Sequence, residues 1–206
     1  MILLFADDVA LMSDTIAGLQ KQVDVLFNCC QQLDLFVNLD KSNIVVFRNG
    51  GHLSLREQWV FGNSALTVVN SYKYLGIFLS TRLSFTRTID DLAVRAKKGV
   101  IAILKTLWSL GDHSPNIFFK LFDSQILPIL TYGAEIWGLN KNLDSIERVH
   151  LFAIKRFLGV HPITPKHVLY GDTGRYPLFI TTYTKCVKFW LRLIKLDNHR
   201  FSKKSL

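Results

Sequence analysis

The sequence predicts an α+β chain in two parts: antiparallel β-hairpins with a packed helix over residues 1–84, then an all-helical region over 85–206. Two observations carry this. Before residue 85, short apolar runs alternate with turn signals, whereas after it apolar residues recur at every third or fourth position. Apolar residues also make up 49% of the 206 and charged residues 20%, a balance that allows a sizeable core and excludes a disordered or low-complexity chain.

The chain opens with two apolar runs, Met1–Ala6 and Val9–Met12, on either side of an acidic dipeptide. That is the pattern of a β-hairpin whose turn carries Asp7 and Asp8. A helix of about six turns, packed on the same sheet, is expected from about Thr15 to Phe36. Ile16, Leu19, Val23, Leu26, Phe27, Cys30 and Leu33 would share its apolar face, and Asp14 stands where an N-cap belongs. Asn43–Phe47 reads as a strand ended by the turn signal Asn49-Gly50-Gly51. Leu66–Val69 and Tyr74–Leu79 read as a further antiparallel hairpin over about 66–79.

Past Phe85 the period changes. Ile89, Leu92, Ala93, Ala96, Val100, Ile103, Leu104 and Leu107 form one helical face that ends before Gly111. A second helix is predicted from Pro115 to near Trp137, kinked at Pro128, and a third from about Leu143 to Leu158, stopped by Gly159. After the Pro162/Pro165 break, a last helix is predicted around Thr182–Leu196, followed by a frayed tail beyond Asp197. Trp108, Trp137, Phe118 and Phe119 are assigned to core packing, and so are the aromatics of the last helix, Tyr183, Phe189 and Trp190.

Several classes are set aside by composition. The longest uncharged stretch, Gln58–Tyr72, is partly polar and shorter than the roughly 20 apolar residues of a bilayer crossing, so no membrane partner is expected. Asp7-Asp8 interrupts the initial apolar run before it could act as a secretory signal core. Cys29, Cys30 and Cys186 lack the number and spacing of a disulfide framework or metal knuckle and read as buried free thiols of a reducing compartment, which suits an intracellular protein and leaves nucleus and cytoplasm equally open. His161 and His167 have no acidic or thiol partner at ligand spacing.

Charge is more informative. The net is +9, but residues 1–50 carry −3 and residues 151–206 carry +9. An acidic start with a basic end suggests a polyanionic partner met by the C-terminal part. In the last helix Lys185, Lys188, Arg192 and Lys195 recur at threes and fours, so one stripe could track nucleic-acid phosphates; a solvated basic face is the alternative.

Asp is rare in strands, and two adjacent acids at the tip of an apolar hairpin repel unless a cation offsets them. Mg²⁺ does so readily, taking one or two carboxylates along with substrate phosphates. A solvated turn is the plain alternative.

Phe5-Ala6-Asp7-Asp8 between apolar strands resembles the catalytic hairpin of reverse transcriptases. Further blocks follow in that family's order. Asn38-Leu39-Asp40-Lys41-Ser42 is similar to its Asn-x-x-Lys-(Ser/Thr) element, and Tyr72-Lys73-Tyr74-Leu75-Gly76-Ile77 to its primer-grip hairpin. The segment from Ile126 to Gly138 and that from Ile146 to Gly159 are similar to the thumb region of the LINE-type (non-LTR) retrotransposon enzymes. The resemblance implies a partial palm over 1–84 and a thumb-like, basic C-terminal region over 85–206. It also implies RNA-directed DNA polymerase chemistry with Mg²⁺ or Mn²⁺, a primer–template duplex of RNA or DNA, and dNTP.

By the same resemblance, Asp7 and Asp8 are metal ligands and catalytic residues. Lys41 lies near the leaving pyrophosphate or is simply a solvated turn lysine. Phe5 packs by the primer end or is a core residue, and Leu75 and Gly76 contact the primer or merely close a hairpin. Family enzymes carry fingers and another catalytic Asp upstream of the hairpin, for which this sequence has no counterpart. The chain is therefore expected to be the C-terminal portion of such a polymerase, inactive without the missing N-terminal half. A non-catalytic nucleic-acid-binding remnant and a pseudogene product are the alternatives.

Overall fold

The computed structural model describes residues 1–51, 57–111, 113–140 and 142–196, and the tail expected beyond Asp197 lies outside them. The chain is α+β and divides into two compact units, Met1–Ser84 and Phe85–Leu206.

In the first unit, β1 (Ile2–Phe5) and β2 (Asp8–Leu11) pair antiparallel with Phe5 opposite Asp8. The helix α1 (Ile16–Gln32) is shorter than the spacing of its apolar residues suggests, at under five turns. Its cap is Thr15 rather than Asp14, because the Thr15 hydroxyl accepts the Gly18 N–H at 3.0 Å. At the other end Asp34 takes φ +51°, which breaks the helix and leaves Phe36 outside it. Trp59 Nε1 donates to the Ile16 carbonyl at 3.1 Å, and the Gln20 amide bonds both the N–H and the C=O of Val60. These contacts hold β4 (Val60–Phe61), which pairs with β5 (Ser64–Ala65), against α1.

The sequence reading needs correction in two places here. Only Asn43–Ile44 of the predicted strand is paired, as β3, and it runs parallel to β6 (Thr67–Val68). With β6 engaged there, the second long hairpin is β7 (Ser71–Tyr74) with β8 (Ile77–Ser80), starting later than expected. Among the described residues the unit holds four separate two-stranded sheets, not one sheet backed by the helix.

In the second unit, all eight residues of the predicted face of α2 (Thr86–Ser109) are buried. Full burial of the Ile, Leu and Val side chains among them contributes on the order of 1.5–3 kcal/mol each, and Phe118, Phe122, Ile126, Leu130, Trp137 and Ile146 pack around them in the core. The second predicted helix is split into α3 (Pro115–Leu121), a π-turn (Phe122–Ile126), α4 (Leu127–Leu130) and α5 (Ala134–Trp137). Pro128 has no N–H to give to an i−4 carbonyl, and the Leu127 N–H reaches back five residues to Phe122 O, so the chain widens before the proline. A second break follows at Gly133, φ +65°. Helix α6 (Asp144–Leu158) ends at Gly159 as predicted; the Val160 N–H bonds Lys155 O at 3.2 Å. After α7 (Lys166–Thr173), α8 (Leu178–Ile194) starts four residues before the predicted Thr182.

Helix α8 lies close on α5 because Gly138 permits it. A Cβ there would stand 2.9 Å from both Cys186 Sγ and Thr182 O. Trp137 and Phe118 are buried as expected, whereas Trp108 is half exposed, and so are Tyr183 and Trp190. Of the three thiols, Cys30 and Cys186 are buried and Cys29 is exposed.

Candidate active site and nucleic-acid interface

Asp7 and Asp8 stand at the tip of the first hairpin. The two-residue turn is Ala6-Asp7, with Ala6 in the left-handed region at φ +52°. Such a conformation costs a non-glycine residue about 1–2 kcal/mol, and here it folds the strand back sharply enough to present the acids at the apex. Both carboxylates are exposed, as is Phe5 at 60%. Leu4 is 73% exposed, so the hairpin shows apolar side chains to solvent as well as its acidic tip.

Two hard oxygen donors on an exposed turn suit the Mg²⁺ habit of taking one or two carboxylates and filling the remaining positions with water and phosphate. Among the described residues no group of three or more His, Cys, Asp or Glu could hold a metal, so the pair offers a partial coordination sphere and no closed cage.

Lys41 ends a 3₁₀ turn, Leu39–Lys41, capped by Asn38, whose Oδ1 accepts the Lys41 N–H at 3.2 Å. The Ser42 hydroxyl donates to Asn38 O at 2.8 Å and tightens the same turn. Tyr72, on β7, donates its hydroxyl to Lys41 O at 2.8 Å. The Lys41 turn and the Leu75-Gly76 hairpin are therefore joined by a side chain that sequence reasoning did not single out, although it lies within the quoted Tyr72–Ile77 block. Leu75 and Gly76 form the turn of that hairpin with φ +46° and +83°, the signs of a type I′ turn, in which a bulky Leu replaces the usual Asn or Asp. The Asp7–Asp8 hairpin and the Leu75–Gly76 hairpin belong to different two-stranded sheets.

The basic stripe of α8 divides. Lys188, Arg192 and Lys195 are exposed and, with Leu191 and Leu196, line a shallow depression. Lys185 is half buried, and its ammonium donates to Thr131 O at 3.1 Å and to Thr131 Oγ1 at 2.8 Å, tying α8 to the end of α4. Local spacing placed it with the others; the tertiary contact sets it apart. No helix among the described residues is long and apolar enough to cross a membrane.

A second polar cluster was not legible in the sequence. Arg175 makes a two-pronged ion pair with Asp123, donates to His150 Nε2 at 3.3 Å, and stacks its guanidinium over Phe119 and Phe122. Glu147 accepts from the Tyr170 hydroxyl and from the Leu178 N–H. These residues come from α6, α7, the π-turn and the loop before α8, and their spacing carries no signal.

The chain is 29% identical over 161 residues to an uncharacterised transposon-derived protein of Caenorhabditis elegans, covering 76% of the chain and 56% of that protein. It is 23% identical over 171 residues to the RNA-directed DNA polymerase from mobile element jockey of Drosophila melanogaster, covering 77% of the chain and 18% of the polymerase. It is also 27% identical over 149 residues to a probable RNA-directed DNA polymerase from transposon X-element of the same fly, covering 68% of the chain and 16% of that protein. The chain spans little more than half of the first relative and less than a fifth of the other two. No protein-family model and no solved structure matches it.

Proposed function

We propose that the chain is the portion of a non-LTR retrotransposon's RNA-directed DNA polymerase that carries the Asp-Asp hairpin, a partial palm followed by a helical thumb. It acts on a primer–template duplex with dNTP as co-substrate. One observation carries this reading: two adjacent acids sit at the solvent-facing apex of a short antiparallel hairpin, in a chain similar over most of its length to mobile-element polymerases.

In the reaction the primer 3′-oxygen bonds to the α-phosphorus of the nucleotide, and pyrophosphate leaves. Mg²⁺ or Mn²⁺, when bound, supplies charge stabilisation at the attacking and leaving oxygens. Asp7 and Asp8 would hold it through their exposed carboxylates. The Lys41 ammonium, on a turn braced by Asn38 and Tyr72, neutralises charge gathering on the pyrophosphate. The tight Leu75-Gly76 turn brings backbone close to the primer strand, where Gly76 adds no side chain, and Phe5 packs by the primer end. Lys188, Arg192 and Lys195 track duplex phosphates.

In this reading the 206 residues alone are inactive. Asp7 and Asp8 would supply only part of a metal site, since no third His, Cys, Asp or Glu among the described residues joins them, and positioning supplies much of the rate in phosphoryl transfer. Primer extension by the isolated chain, with either ion, is expected at background. Joining it to the unmatched remainder of the jockey polymerase, by fusion or in trans, is expected to yield extension that Asp7→Ala abolishes. Extension by the chain alone that is lost in Asp7→Ala, or fusion activity that survives Asp7→Ala, would overturn the reading. The exposed cations of α8 also support a second reading, a non-catalytic nucleic-acid-binding module, which predicts duplex binding but no extension from any fusion.

A further inference from the structure

Helix α8 has three sides. Leu178, Thr182 and Cys186 are buried, and Lys188, Arg192 and Lys195 make an exposed basic edge. The third side is apolar and exposed. Ile180, Tyr183, Val187, Trp190 and Ile194 follow one another at intervals of three, four, three and four, and each is between 37% and 57% exposed. That spacing is the a/d seam of a coiled coil, held on one side of the helix for more than three turns. Leu191, 47% exposed, joins the seam to the basic depression. A continuous apolar strip rimmed by charge is the usual mark of a docking surface, and Tyr and Trp are the residues that most often anchor one.

We infer that this seam docks an amphipathic helix of another polypeptide, with apolar residues at heptad positions and Asp or Glu along the flank that faces Lys188 and Lys195. Charge selects this occupant. Helix α8 contains no Asp or Glu, so a second copy would set lysine and arginine edges against each other. A nucleic-acid backbone is drawn to the basic edge but gains nothing from β-branched Ile180, Val187 and Ile194, three of the five seam residues. An acidic helix satisfies both sectors, its aliphatic face covering the seam and its carboxylates meeting the cations.

The test uses the 206-residue chain and two synthetic three-heptad peptides, both with Leu at a and d, one with Glu and one with Lys at e and g. Trp59 and Trp137 are buried, so a Trp108→Phe background makes Trp190 the exposed fluorescent reporter. The Glu peptide is expected to shift Trp190 emission to the blue and to bind at least tenfold more tightly than the Lys peptide. Val187→Glu with Ile194→Glu, both at exposed positions, is expected to weaken binding at least tenfold with an unchanged far-ultraviolet dichroism spectrum. Lys188→Glu with Lys195→Glu is expected to reverse the preference between the peptides. The uncharged pair Val187→Ser with Ile194→Ser should weaken peptide binding in the same direction while leaving primer–template affinity unaltered, so this inference and the polymerase reading fail separately. Equal binding of the two peptides, peptide binding that survives the seam substitutions, self-association that those substitutions abolish, or single-stranded oligonucleotide binding that they abolish would each overturn it.

Discussion

The carboxylate of Glu147, on α6, accepts the backbone N–H of Leu178 at 2.7 Å and so closes the start of α8 from 31 residues away. The first turn of a helix leaves four N–H groups without intrahelical partners, and Pro177, the cap residue here, offers no side-chain acceptor. The same carboxylate also takes the Tyr170 hydroxyl. Glu147→Ala strands both donors in a half-buried place and is expected to destabilise the chain by about 1–3 kcal/mol. Glu147→Gln keeps an acceptor and should recover part of that loss. Urea unfolding followed by dichroism measures both, and equal stability of Ala and Gln variants would deny Glu147 its capping role.

Leu75 pays for the tightness of its turn in backbone strain, at φ +46°. Asn tolerates the left-handed region better and forms with Gly76 the favoured Asn-Gly pair of a type I′ turn. Leu75→Asn is therefore expected to stabilise the chain by about 0.5–1 kcal/mol, read as a higher urea midpoint. A lower midpoint would mean that the Leu side chain contributes more by packing than its backbone costs.

The division of the α8 stripe gives a graded expectation for nucleic-acid binding. Each phosphate contact steepens the fall of log affinity with log salt by about 0.9. Replacing Lys188, Arg192 and Lys195 together by Ala should flatten the slope for a primer–template duplex by about two to three units. Lys185→Ala should leave the slope nearly unchanged and instead lower stability, because its ammonium is bonded to Thr131. An equal slope change from Lys185→Ala alone and from any one of the exposed three would put it back in the stripe.

Burial raises the Cys186 thiol above its ordinary value of 9.0, against the smaller opposing effect of its polar backbone neighbours. The folded state thus holds its proton to higher pH than the unfolded state. The stability this contributes is complete below the unfolded value and is lost as pH rises through the folded one. Unfolding midpoints should fall more steeply above pH 9 in the native chain than in Cys186→Ala. Alkylation should reach Cys29 first, since it is exposed. Identical alkaline profiles for the two proteins would remove Cys186 from the account.

Much of this molecule follows from local pattern. The period of α2 names its buried face without any knowledge of what covers it, and Gly159 marks the end of α6 because a left-handed residue is needed there. The acidic dipeptide between two apolar runs places Asp7 and Asp8 at a hairpin apex, and the resemblance to reverse transcriptases rests on that same short range. Period and turn chemistry act over a few residues, so a linear reading reaches them.

What pairs with what is a different matter. The parallel pairing of β3 with β6, the bond from Tyr72 to Lys41, the cap that Glu147 supplies to Leu178, and the bond from Lys185 to Thr131 that sets it apart from Lys188 all join residues far apart in sequence. The spacing of Tyr183 and Trp190 is that of core residues, and Trp190 stands one turn beyond buried Cys186, yet both are half exposed. A periodic sequence specifies that a helix has an apolar side. Whether that side is covered depends on close approach elsewhere, here at Gly138, where the missing Cβ lets α8 settle on α5 by one face and leaves the other to solvent.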